Sequence, residues 1–287
     1  MPYAFTRDET ISAAIPRIMD ELIVRAREQL TDESAPIDER VHDARKRFKE
    51  TRALLRLVRK SLGAHYSTEN AWFRDAAHDL AAARDADAVL EALAKLQLPP
   101  HIRARARRAL RARRPHDDAD LAARIANVLE QLVVAQARVA LWPAMDDAFD
   151  TIAPGLVRAY RAGRRAMHHS GMPDELHEWR KVVKEHWYHM QLLRDVWPPM
   201  MKAYASVLES LSRALGDHHD LHVLRQIVAQ SPQEFGRPAT ALALLDAIDA
   251  RQRALELEAM EIGRRVYAER PRRWLARMRN EWDVWRT

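Results

Sequence analysis

Three observations predict an all-α fold. Apolar residues recur at alternating steps of three and four along most of the chain, and no stretch alternates apolar and polar residues between turn-forming ends. The periodic stretches are punctuated by proline, and only seven glycines occur in 287 residues that are 47% hydrophobic and 31% charged. A chain of this length holds one large domain or two of ordinary size. The absence of cysteine removes disulfides, thiolate nucleophiles and thiolate metal ligands. The opening residues MPYAFTRDET lack the basic start and apolar core of a signal peptide, and no run of about 18 apolar residues is present. The expectation is a soluble, cytoplasmic protein.

Thr6 and Glu9 form a capping-box pattern for a first helix over about 7–30, apolar at Ile11, Ala14, Ile15, Ile18, Leu22 and Ile23. After the turn TDESAPID, the stretch Val41–Leu62 reads as one helix ended by Gly63. A third helix starts near Ser67 or Thr68, and the tract 84–87 bends or continues it into Val89, Leu90, Leu93 and Leu96. Pro99-Pro100 breaks the chain before an arginine-rich helix over 101–114. Asp117 and Asp118 cap a long helix that reaches about Ala140. Ile152-Ala-Pro-Gly is the best internal boundary, dividing the chain into 1–152 and 153–287. Helices then follow over about 155–169, 174–197, 199–216, 218–230, 238–268 and 272–285.

Val41–Leu62 carries two stripes. Val41, Ala44, Phe48, Thr51, Leu55, Val58 and Leu62 form a core seam, and His42, Arg45, Lys49, Arg52, Arg56 and Arg59 follow them one residue later, with Lys46 beside Arg45. Charge along the chain is segregated. Residues 40–60 and 101–115 each carry +7, and residues 158–165 add four arginines, against a chain total of +6. The remainder is therefore net −12, a pattern suited to a polyanionic partner. Only seven of the 47 cationic residues are lysine, and arginine is the better bidentate partner for phosphate oxygens.

A constant shift of 135 residues pairs His42 with His177, Arg45 with Arg180, Lys46 with Lys181 and Lys49 with Lys184. It also pairs Glu50 with Glu185, Leu57 with Leu192, Leu80 with Leu215 and Asp85 with Asp220, without a gap. Helical periodicity aligns apolar seams by chance, but not polar identities in register. The repeat predicts two pseudo-symmetric bundles of about four helices each, bringing two cationic ladders toward one surface.

Other clusters carry less. In Asp217-His218-His219-Asp220-x-His222 only His218 and His222 share the i,i+4 spacing of helical zinc sites, so no metal is expected and Asp220 reads as a cap or a bridge to arginine. Trp72, Trp142, Trp179, Trp187 and Tyr188 read as core. No aromatics interleave the first ladder, which argues against the stacking platforms of single-strand binders. No Gly-rich phosphate loop, carboxylate pair or nucleophile–base pair points to catalysis, and no cofactor is expected.

His42-x-x-Arg45-Lys46-x-x-Lys49 and His177-Glu-Trp-Arg180-Lys181-Val-Val-Lys184 resemble the two signature helices of the CHAD family, the conserved-histidine α-helical domain. Arg158-Ala-Tyr160-Arg161-Ala-Gly163-Arg164-Arg165, Arg84-Asp85-x-Asp87-x-Val89-Leu90 and Leu215-Gly216-Asp217-x-x-Asp220-Leu221 are similar to that family as well, so the likeness spans about residues 7–280. The resemblance implies two helical halves around a basic surface that binds inorganic polyphosphate, association with polyphosphate granules, and no catalysis. It implies a site of His42, Arg45, Lys46, Lys49, His177, Arg180, Lys181 and Lys184, with Arg161, Arg164 and Arg165 beside them, to which the ladder itself adds Arg52 and Arg56. The second signature helix departs from the pattern at Glu185, His186 and Trp187, and Gln191 stands at the place of Arg56, so its ladder thins after Lys184. The alternatives are a nucleic-acid-binding helical protein and a granule-coating scaffold.

Overall fold

The computed structural model describes residues 3–80, 85–113, 118–169 and 172–287, without the side chains of 85–87, 118 and 119. Among the described residues every regular element is helical. The first half holds α1 (Ile11–Thr31), α2 (Ile37–Leu57), the single turn α3 (Arg59–Leu62), α4 (His65–Asp79), α5 (Asp85–Ala94), α6 (Pro100–Ala112) and α7 (Asp118–Val139). The second holds α8 (Phe149–His168), α9 (Pro173–Leu192), α10 (Pro198–Gln230), α11 (Pro238–Val266) and α12 (Pro271–Arg286). Five helices, α6 and α9–α12, have proline in their first turn, where its missing N–H costs nothing.

The seam read from the sequence is the buried face of α2: Val41, Ala44, Phe48, Thr51 and Leu55 are inaccessible, as are Val58 and Leu62 beyond it. Phe48 sits 5.7 Å from Phe73 of α4, tying the two helices. The 135-residue shift carries α2 onto residues 172–192, the span of α9, and carries α4 and α5 onto successive parts of α10.

Several boundaries differ from the sequence reading. The first helix starts at Ile11, capped by Thr10, whose Oγ1 accepts from the Ala13 N–H. Thr6 instead donates to Glu9 in the preceding turn, and Glu9 binds Arg17 at 2.6 Å. The stretch to Leu62 is not one helix: α2 stops at Leu57, Val58 leaves helical geometry, and Gly63 at φ +54° ends α3. Gly155 of α8 explains the break. It lies so close to the Leu57 backbone that a Cβ there would overlap it, and Arg158 of α8 donates to the Arg56 carbonyl at 3.1 Å.

The boundary drawn at residue 152 therefore falls inside α8, which runs from Phe149 through Pro154. Pro154 is exposed, so its missing N–H forfeits one hydrogen bond on the solvent side. Likewise 199–216 and 218–230 form the single helix α10. Gly216 does not end a helix; it is a point of close approach, where an added Cβ would stand 3.2 Å from Arg180 Nε. The tract 81–84, the capping residue Asp117 and the side chains of Asp85 and Asp87 lie outside the described residues.

Candidate functional site

Where α2 meets α9, repeat-related side chains line one cleft of about 570 Å³. Arg45 and Lys49 come from α2, Arg180 and Lys184 from α9, and Ala53 and Tyr188, also 135 residues apart, join them. Arg52, Arg56 and Arg74 of α4 extend one side; His177 and Lys181 extend the other. Eight arginines and lysines thus surround a single carboxylate, that of Glu185. Burial and crowding together disfavour the charged state of Lys49, Lys184 and Arg52. Lys49 stays open to the cleft, yet the surrounding protein and the charges of Arg45, Arg180 and Lys184 push its pKa down to about 8. Lys184 is likewise lowered to about 8 by burial and by Arg180, and its ammonium lies 3.9 Å from the centre of the Trp187 ring. Burial and the neighbouring Arg56 bring Arg52 to about 10.

Glu185 anchors the cleft floor. Its Oε2 accepts from Arg56 at 2.9 Å and its Oε1 from Arg158 at 2.6 Å, so one carboxylate joins α2, α8 and α9. Beneath it the fully buried His189 donates through Nε2 to the Ala53 carbonyl at 2.9 Å. Burial alone would raise the Glu185 pKa, but His189, Arg158 and Arg56 outweigh it and hold the carboxyl below its usual range. The repeat partner, Glu50, is buried too, and burial raises its pKa although Arg47 binds it at 2.6 Å.

At the other end His177 packs on His219 of α10, ring centroids 4.1 Å apart. Burial, with Lys181 and Arg180 close by, lowers the His177 pKa; burial together with His177 and Arg180 takes His219 down to about 4. Burial raises Asp220, while the adjacent Arg180 opposes the shift. The rest of the cluster serves packing between helices: Lys95, just past the end of α5, binds Asp217 at 2.7 Å, and His218 Nε2 lies 3.0 Å from Glu256 of α11. Among the described residues no group of three or more His, Asp or Glu side chains is arranged to hold a metal ion.

The geometry separates some residues that the sequence grouped. His42 does not line the α2–α9 cleft; it faces a different concavity between α2, α5 and α6. Lys46 is exposed and outside the lining, although its charge reaches Lys184. Arg161 and Arg165 are exposed and also outside it, and Arg164 donates to the Glu269 carbonyl at 2.8 Å. The arginine of that run that contacts the cleft floor is Arg158.

The family profile of the CHAD domain matches residues 17–229. The chain belongs to the CHAD family. Its fold is similar to that in the crystal structure of the CHAD domain from the plant Ricinus communis, with a TM-score of 0.65 and 19% identity over 93% of this chain and 95% of that one. No curated protein matches.

Within this CHAD domain, sequence reasoning missed Arg74 and the pairing of Arg56 with Glu185, since helix packing alone brings α4 to the cleft and α2 against α9. Arg158 was findable, because it precedes Arg161 by three and Arg165 by seven on one helical face. Trp179, Trp187, Tyr188 and Trp142 are buried, as their spacing predicts, and Trp72 is half-buried.

Proposed function

We propose that the α2–α9 cleft binds inorganic polyphosphate, and that through it the protein associates with polyphosphate granules without hydrolysing the polymer. The observation that carries this is the convergence of Arg45 and Lys49 with Arg180, Lys181 and Lys184 in one concave site, where burial and neighbouring cations hold Lys49 and Lys184 near pKa 8. Ammonium groups so depressed destabilise the free protein, and a multivalent anion relieves them. Arginine forks match phosphate oxygens bidentately, and a linear polymer presents phosphates in series. The single carboxylate is already held by two arginines and offers no base aligned with a nucleophile, so the site is suited to binding rather than chemistry.

Competition at about physiological ionic strength tests the reading. Long-chain polyphosphate is expected to bind tightly, with affinity falling steeply as salt rises, and single- or double-stranded DNA to compete poorly. If DNA displaces polyphosphate charge for charge, the site is a general polyanion surface instead. No described helix is long and apolar enough to cross a membrane. Granule association is tested by co-sedimentation of the wild type, with loss of sedimentation expected for a cleft variant.

A further inference from the structure

The cationic stripe of α2 does not end at the cleft. His42 lies seven residues before Lys49, hence on the same helical face, and faces α6 across a concavity of about 550 Å³. One turn earlier the stripe reverses sign: Asp38 and Glu39 occupy the first turn of α2, where acids suit the helix dipole. A polyanion following the stripe outward from Arg45 therefore meets repulsion at the start of α2, and across the concavity from His42 lies the basic helix α6.

That helix is held down by Ile102, Ala106 and Leu110, all buried, and contains no acidic residue. Arg103 and Arg113 are engaged, by the Leu96 carbonyl and by Glu234. Arg105, Arg107, Arg108 and Arg111 are exposed and make no ion pair with a described residue. The concavity beside His42 is electrically balanced, since Asp38, Glu39 and Glu91 line it with Arg103, Arg107 and Arg111. The adjoining depression is not: it measures about 290 Å³, has Ala104 in its lining, and is otherwise made by Arg107, Arg108 and Arg111. Like charges at these spacings cost stability in the free protein unless a partner neutralises them.

We propose that this arginine face of α6 is a second anion seat, taking the part of a linear polyphosphate chain that extends beyond the α2–α9 cleft. The proposal rests on the polyphosphate reading of the cleft and adds to it a dependence on polymer length. A short oligomer fills the cleft alone, whereas a long chain reaches both seats at once and gains through their high effective concentration.

The test is equilibrium binding of tripolyphosphate and of long-chain polyphosphate to the wild type, to Arg107→Glu/Arg111→Glu, and to Arg107→Gln/Arg111→Gln, with helicity followed by circular dichroism. Both positions are exposed, and the glutamine pair, which adds no negative charge, is expected to retain the fold should the glutamate pair not. Long-chain affinity is expected to fall by roughly tenfold or more in the glutamate pair and less in the glutamine pair. Tripolyphosphate affinity is expected to stay within about twofold of wild type in the glutamine pair, where no repulsive charge is added. Unchanged long-chain binding, or equal losses for the two ligands in the glutamine pair, overturns the second seat. A parallel titration of the same variants with double-stranded DNA that shows DNA binding lost and polyphosphate binding intact overturns it too, in favour of a nucleic-acid patch. If the wild type binds neither phosphate polymer, the cleft reading itself fails, a result distinct from a failure of α6.

Discussion

The two helices that wall the cleft share a sequence pattern but not an electrostatic role. On α2 the stripe continues through Arg52 and Arg56; on α9 the equivalent positions are Trp187, which packs under Lys184, and Gln191, which lines a different concavity. The two acids diverge further. Glu50 pairs with Arg47 of its own helix, whereas Glu185 reaches Arg56 across the halves and Arg158 on α8. The histidines part as well, His42 toward α6 and His177 onto His219. Only Arg45/Arg180, Lys49/Lys184 and Ala53/Tyr188 keep both members of a pair in the cleft lining. The repeat thus conserves a four-cation centre while its flanks serve different ends, one side extending the basic tract and the other locking the halves together.

The largest effect expected is on that centre. Arg45→Glu/Lys49→Glu and Arg180→Glu/Lys184→Glu should each weaken polyphosphate binding at least a hundredfold, about 3 kcal/mol, with helicity retained. Markedly unequal losses, measured by titration at one salt concentration, would mean that one wall carries the site and the symmetry is only ancestral.

Glu185→Gln comes next. It leaves Arg56 and Arg158 facing each other over a neutral amide, and chemical denaturation should report a loss of about 2–3 kcal/mol. The same change removes the one acid in the cleft lining, so affinity should rise severalfold. Glu50→Gln, whose carboxyl is already pushed toward neutrality, should cost less and leave affinity nearly unchanged. The comparison breaks if the two glutamines behave alike.

The pH dependence follows from the lysines. Lys49 and Lys184 have pKa values of about 8 in the free protein, and a bound anion raises them, so binding takes up protons. The lysine contribution to affinity is therefore full below pH 8 and declines as pH climbs toward the higher bound-state values. His177 and His219, depressed in the free protein, add a further rise on the acidic side of the ordinary histidine pKa of 6.5. Binding isotherms at fixed salt that show no fall above about pH 8 would remove the lysines from the contact set.

The smallest effect concerns stability. Replacing the open but crowded Lys49 with Met should raise stability by about 1 kcal/mol once solvent screening is allowed for, while reducing affinity. A drop in melting temperature would show that Lys49 makes a structural contact instead.

Local rules made much of this legible. The seam of α2, the proline-initiated helices and the burial of Trp179 and Tyr188 follow from periodicity and backbone chemistry, which act within a few residues. The break at Leu57 was not legible, because Gly155 from another helix packs against it; nor was the continuity of α10, because Gly216 lies inside the helix against Arg180 rather than at a turn.

Spacing alone makes the chain helical, repeated, and cationic along one face of each signature helix, since it assigns residues to a face. Which faces meet was decided by tertiary packing. His42 shares a face with Lys49 but stands about 10 Å nearer the start of α2, so it meets α6 where Arg45 and Lys49 meet α9. The close approach of α8 to α2 likewise placed Arg158 rather than Arg161 or Arg165 at Glu185. A helix fixes the angle between its side chains; only its partners fix where those angles point.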